Sequence, residues 1–318
     1  MAIPPGMDEG FGAMLAAEAA AQAALPPLDQ IPPDMLRAGY RAQRTAQNAA
    51  TSPASVEARD LKLAGAAGDV AARLYAPKGA ATPGPLLVYF HGGGFVIGDL
   101  ETHDAHCRRL ADFSGARVLA VDYRLAPEHP FPASHDDALA ATRWAFDHAA
   151  ELGADPRRIG VGGDSAGGNL AASVALDLRG DPQRRLKFQL LLYPATWPKE
   201  ETASRRDRDG PVLSKEAIAY FERHLAAFTH PQGHRAAPGQ AADLSGLPPA
   251  FIATAGHDPL EHEGRDYALA LEKAGVPAKW VNYPTLVHDF YIMGDVSPAV
   301  IAAAKKAGAA IAAALQES

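Results

Sequence analysis

Beyond residue 85 the chain alternates short apolar runs with helix-length segments. The runs are Leu86 to Phe90, Val118 to Tyr123, Ile159 to Gly162, Phe188 to Tyr193, Phe251 to Thr254 and Trp280 to Tyr283. Few polar residues break them, which is the pattern of strands covered on both faces. Helical segments occupy Asp136 to Ala150, Ala166 to Leu178 and Glu261 to Ala274 between them. Such repetition predicts an α/β architecture, a mostly parallel central sheet flanked by helices. Two earlier strands, Val56 to Leu63 and Val70 to Tyr75, are joined by a turn through Gly65 and Gly68.

Two segments stand outside this alternation. Residues 1–55 are rich in Ala, Pro and Gln, and Pro26, Pro27, Pro32 and Pro33 divide them into two short helical pieces. The second, roughly Asp34 to Ala50, carries Leu36, Tyr40, Arg37, Arg41 and Arg44. Its apolar face is too small for a core of its own, so it must lie on another part of the protein. The other segment runs from Pro194 to Pro249, where a charged stretch (Lys199 to Asp209) precedes a helix from Ser214. That helix places Ile218, Phe221, Leu225 and Phe228 at helical spacing. An excursion after the C-terminal end of a strand sits on the ligand-binding side of such a sheet. The expected organisation is therefore a pair of N-terminal helices (1–55) on a larger domain (56–318), with this excursion joining those helices as a cap. The alternative for the insertion is a surface decoration. The Ala-rich helix Pro298 to Leu315 either packs on its own sheet or pairs with a second copy, so a monomer and a homodimer both fit.

Composition narrows the classes. With 318 residues, 47% hydrophobic and 21% charged, the chain reads as an ordinary folded protein. A net charge of −7 argues against a basic nucleic-acid groove or an electrostatic lipid anchor. The single cysteine, Cys107, excludes an intrachain disulfide and a thiolate zinc cluster and fits a reducing compartment. No apolar run reaches the roughly 18 residues of a membrane span. Asp8 and Glu9 make the N-terminus acidic where an export signal is basic. A cytoplasmic protein is the expectation.

Gly163-Asp164-Ser165-Ala166-Gly167 matches the Gly-x-Ser-x-Gly turn in which a serine is projected between a strand and a helix. The flanking pattern agrees, with an apolar run before it and small helical residues after it. The helix N-terminus directs partial positive charge at the serine oxygen. His91-Gly92-Gly93-Gly94 follows the strand Leu86 to Phe90. Glycines there leave backbone N–H groups bare, as a developing oxyanion needs. Gly93 and Gly94, with the N–H of Ala166, are the candidate donors. No Lys-Ser or Lys-Thr follows, so the loop is not a phosphate-binding P-loop. His91 reads as a brace for this loop, not as a proton carrier, because a base must be aimed at the nucleophile.

A serine in such a turn needs a base and an acid, in the chain order Ser, acid, His. Asp258 follows the run Phe251 to Thr254, and His288 follows Trp280 to Tyr283. Both fall in loops at carboxyl ends of strands, the edge that also carries Ser165, so parallel strands bring the three together. Glu261 and Glu263 are competing carboxylates but lie in a helix, and Asp289 adjoins the base itself. His257 and His262 sit too close to Asp258 in the chain to be oriented by it. His103 and His106 flank Asp104 without a zinc-hydrolase ligand set and read as surface or packing residues.

The chain resembles the hormone-sensitive-lipase-like esterases of bacteria, within the α/β-hydrolases. The matching residues are Tyr89-Phe90-His91-Gly92-Gly93-Gly94-Phe95, Asp122-Tyr123-Arg124-Leu125-Ala126-Pro127-Glu128, Gly162 to Asn169, Asp258-Pro259-Leu260 and the His288 loop. The resemblance implies an α/β-hydrolase catalytic domain (56–318) with a small helical cap, made of the N-terminal helices (1–55) and an insertion at about 197–230, and no metal or organic cofactor. It implies Ser165 as nucleophile, Asp258 as acid, His288 as base, and Gly93, Gly94 and Ala166 as the oxyanion hole. His91, Gly92, Asp164 and Glu128 become supporting residues, Glu128 as a brace near the site. It further implies a small-molecule substrate, a short- to medium-chain acyl ester. Amide, thioester or lactone cleavage on the same residues, and a non-catalytic binding homologue, stay open beside it. Two positions depart from the family: His262 stands where an acidic residue is usual, and Asp289 where Gly precedes Phe. A carboxylate beside His288 favours the charged imidazole. Activity is expected to rise with pH through the His288 titration, at about 6 to 8.

Overall fold

The computed structural model describes residues 4–22, 26–49, 52–197 and 201–316. The apolar runs become β3 (Gly84–Phe90), β4 (Arg117–Val121), β5 (Ala154–Asp164), β6 (Gln189–Leu192), β7 (Ala250–His257) and β8 (Ala278–Val287). Ahead of them, β1 (Val56–Gly65) and β2 (Gly68–Pro77) form a hairpin closed at Gly65 and Gly68. All eight join one sheet in the order β1-β2-β4-β3-β5-β6-β7-β8. β2 runs antiparallel to both of its neighbours, β1 and β4, and every later neighbour is parallel.

Helices cover both faces, which is why the central strands are apolar throughout. Leu86, Val88 and Phe90 of β3 face one core, filled by α4 (Ala133–Asp147), α5 (Ala166–Asp177) and α8 (Glu261–Lys273). Leu87 and Tyr89 face the other core, filled by α3 (Asp104–Ser114), α9 (Pro298–Ala314) and Phe11 and Leu15 of α1 (Glu9–Gln22). Alternate side chains of a strand point to opposite faces, so one run supplies both layers. The Ala-rich C-terminal helix lies on its own sheet, burying Val300, Ala303, Ala304, Ala307 and Ile311. The apolar patterning does not mark α3, where His106 and four charged residues (Asp104, Arg108, Arg109 and Asp112) obscure the buried face.

β3 has β4 on one side and β5 on the other, so the connections leave its C-terminal end in opposite directions. A crevice opens at such a switch point, where the loops after β3 and β5 part. Above it lies α2 (Pro33–Asn48), with Leu36 and Tyr40 packed beside Val96, Ile97 and Ala126. Two further helices, α6 (Ala203–Asp207) and α7 (Lys215–Leu225), come from the segment between β6 and β7. Tyr220 of α7 donates its hydroxyl hydrogen to Ile31 O at 3.1 Å, joining that segment to the N-terminal one. The helix expected to run through Phe228 stops sooner. Ala226 adopts a left-handed conformation (φ 55°), and Phe228 is left exposed, edge-on to Trp197. Lys199 and Ala50, which bounded two of the expected segments, lie outside the described residues.

Candidate active site

β5 ends at Asp164 and α5 begins at Ala166, leaving Ser165 alone to turn the chain. Its backbone sits at φ 53°, ψ −114°, outside the regions an ordinary residue prefers. The neighbours explain how this is held. A Cβ on Gly167 would lie 1.9 Å from Phe90 O, and one on Gly163 would lie 2.3 Å from the Gly167 carbonyl carbon. Only glycines permit that approach of strand and helix.

The three loops meet. Ser165 Oγ is 2.9 Å from His288 Nε2, and His288 Nδ1 is 2.7 Å from Asp258 Oδ2. A carboxylate only accepts, so Nδ1 carries a hydrogen, and in the neutral ring Nε2 receives that of the serine hydroxyl. Asp258 is itself fixed by the Leu260 N–H, which donates to Oδ1 at 2.8 Å. All three side chains are buried, and the Tyr193 ring closes one side of the imidazole, 4.7 Å between centroids. Burial opposes the charged form of His288, but the carboxylates of Asp258, Asp289 and Asp164 outweigh it and push its pKa up to about 9. That lies above the range of about 6 to 8 expected from the sequence, because several carboxylates converge on a ring shielded from water.

The loop after β3 is fixed from below. Asp164, fully buried, accepts from Tyr89 Oη at 2.7 Å and Gly92 N at 3.1 Å, and its Oδ2 lies 3.3 Å from His103 Nε2. His106 Nε2 meets Tyr89 Oη at 2.9 Å. Burial alone would raise the Asp164 carboxyl; His103, His106 and the Tyr89 hydroxyl hold it well below the usual range. His103 and His106 are thus packing residues beneath the serine turn, a role whose only sequence trace was one tyrosine inside an apolar strand. His91 stacks on Tyr123 at 4.3 Å, and its Nδ1 lies 2.8 Å from Gly92 O. Burial and then His103 push its pKa down to about 4, so it is a neutral brace.

Gly93 (φ 110°) and Gly94 (φ 60°) carry the loop past the serine, and Gly93 O accepts from Val96 N and Ile97 N. Among the described residues no acceptor takes the N–H groups of Gly93, Gly94 or Ala166. Two lobes flank Ser165. A narrow one of about 40 Å3 is walled by Phe95, Trp197, Phe221, Leu225 and Leu260. A large one of about 700 Å3 holds His288, Asp289, Tyr40 and Arg44 on its walls.

Across residues 87–292 the sequence matches a family model described as an α/β-hydrolase fold. It is 46% identical to esterase LipI of Mycobacterium tuberculosis over 78% of this chain and 79% of that protein. Carboxylesterase NlhH of the same organism is 45% identical over 76% of this chain and 78% of its own length. A hyperthermophilic esterase from Pyrobaculum calidifontis superposes with a TM-score of 0.87 at 38% identity, covering 96% of this chain and 98% of that one. The chain belongs to the hormone-sensitive-lipase-like esterases. It is an ester-hydrolysing enzyme.

The two departures from this family's pattern differ in their reach. His262 accepts from the backbone N–H of Ser204 in α6 and has no hydrogen bond to Ser165, Asp258 or His288 among the described residues. Asp289 lies at φ 64°, a left-handed position that glycine occupies without strain and that Asp tolerates better than most residues. Its Oδ1 is 3.5 Å from His288 Nε2. Glu128 is half exposed and pairs with Arg37 of α2 at 2.6 Å. Arg37 also donates to Val96 O and Ala126 O, so Glu128 braces the overlying helix, and among the described residues no hydrogen bond or ion pair joins it to Ser165, Asp258 or His288. Glu263, set aside in the sequence as a helical competitor, is buried and accepts from Thr196 N and Trp197 N, both at 2.8 Å. It thereby shapes the wall of the narrow lobe. Its signal was an acid in the first turn of the helix on the side that also carries Tyr267 and Leu271.

Proposed function

We propose that this esterase cleaves short acyl esters through a covalent acyl-enzyme on Ser165, under a cap made of α1, α2 and the segment around α6 and α7. The hydrogen-bonded chain from Asp258 through His288 to Ser165, beside three unengaged N–H groups, is the observation that carries the reading. His288 takes the hydroxyl proton as Oγ attacks the ester carbonyl, and Asp258 holds the imidazole in the tautomer that can accept it. The oxyanion is received by the N–H groups of Gly93, Gly94 and Ala166. His288 returns the proton to the departing alkoxide, and a water activated in the same way releases the acid. A cytoplasmic setting belongs to the same proposal, resting on a single cysteine in 318 residues.

The two lobes divide the substrate. The leaving oxygen must face His288 Nε2, and His288 lines only the large lobe. The alcohol therefore occupies the large lobe and the acyl chain the narrow one. The narrow lobe, about 40 Å3 against about 700 Å3 for the large one, suits a short acyl chain. Across nitrophenyl esters of two to twelve acyl carbons, kcat/KM is expected to peak at two to four and to fall at least about tenfold by eight. A profile that climbs to ten or twelve carbons defeats this division.

Gly93 supplies a separate test. Its φ of 110° is closed to side chains, and a Cβ would meet Ile97 O at 2.2 Å. Gly93→Ala is expected to lower kcat by about 10^2- to 10^3-fold with a smaller change in KM. Parental kcat in that variant would remove this loop from transition-state binding.

A further inference from the structure

The large lobe contains an arrangement that the ester cleavage just described does not need. Asp289 is buried beside His288, with Oδ1 3.5 Å from Nε2, the nitrogen that also faces Ser165. Its other oxygen is turned to the cap: Oδ2 is 3.4 Å from Tyr40 Oη and 3.6 Å from an Arg44 guanidinium nitrogen. Arg44 is only 3% exposed, lies over the Tyr40 ring at 5.1 Å, and donates to Gln47 Oε1 at 2.8 Å. One turn on, Asn48 donates to Ile292 O at 3.1 Å, pinning the end of α2 to the turn that follows the His288 loop. A buried arginine and a buried carboxylate, from segments far apart in the chain, are thus built against the proposed base.

We propose that Asp289 is a positioning residue for His288, a second carboxylate at the ring nitrogen opposite Asp258, and that Arg44 of the cap helix limits how strongly it acts. This rests on the reading of His288 as the base. Once Nε2 gains the serine proton, the imidazolium has a carboxylate on each side. Asp289 favours that charged state, and the Arg44 charge on its far oxygen offsets part of the attraction. The groups facing His288 are Asp258 after β7, Ser165 and Asp164 at the serine turn, Tyr193 after β6, and Asp289. Those facing Asp289 and Arg44 are Tyr40 on α2 and Glu18 on α1. The cap thereby reaches the base by charge, through one intervening carboxylate, as well as by walling the cavity.

The two residues make opposite predictions. Asp289→Asn keeps the shape and tolerates the left-handed backbone, and is expected to move the acidic limb of kcat/KM down by about one pH unit. Arg44→Gln is expected to move it up. A purely structural role for either would lower activity at every pH without moving the midpoint. The ring itself is followed by NMR in the Ser165→Ala protein, with the His288 signal assigned by its loss in His288→Gln. If Arg44→Gln fails to fold, Asp289→Asn decides alone. A His288 midpoint unmoved or raised by Asp289→Asn overturns the inference, whatever the turnover. Absence of ester turnover in the parent would instead overturn the proposed function, while the ring titration would still judge Asp289.

Discussion

Ser165→Ala is expected to lower ester turnover by roughly 10^6-fold, to the level left by the oxyanion loop and binding alone. The variant loses the oxygen that lies 2.9 Å from His288 Nε2 and nothing else of the site. Alanine fits the same turn, since the strained backbone is imposed by the close contacts of Gly163 and Gly167 and not by the side chain. The melting temperature is therefore expected to stay near that of the parent. A fluorophosphonate probe, which labels the parent on the peptide holding Ser165, should leave the variant unlabelled. Turnover within a hundredfold of the parent, or labelling elsewhere, would refute Ser165 as the attacking group.

Asp258→Asn is expected to cost about 10^4-fold in kcat while KM changes little. The asparagine oxygen can still accept from Leu260 N, so the loop keeps its shape. Its amide group, however, presents a donor to His288 Nδ1, where the aspartate only accepts. The imidazole then holds its hydrogen on Nε2, facing Ser165, and has no lone pair for the hydroxyl proton. A loss below tenfold would mean that another carboxylate orients the ring, and Asp289 is the one within reach.

Much of this was legible in the residues. Uninterrupted apolar runs such as Leu86 to Phe90 could be read because both faces of the sheet are covered, so burial leaves no alternation to misread. The three chemical loops were legible because parallel strands deliver successive loops to one edge. What escaped were features decided by contacts between distant segments. Helix α3 was hidden because His103, His106 and Arg109 are buried polar residues, satisfied or held by partners on β3, β5 and the chain near Tyr291. The end of α7 escaped because Ala226 takes a left-handed conformation that its side chain does not advertise. Glu128 reads as a brace from the resemblance, but the partner it braces, Arg37 on α2, is named by no local pattern.

The backbone strain at Ser165 has a kinetic meaning. A residue in such a conformation costs about 1–3 kcal/mol, and here folding bears that cost before any ester arrives. The turn that presents the Ser165 side chain is therefore already set in the free protein, and no reordering of that backbone is needed when an ester binds.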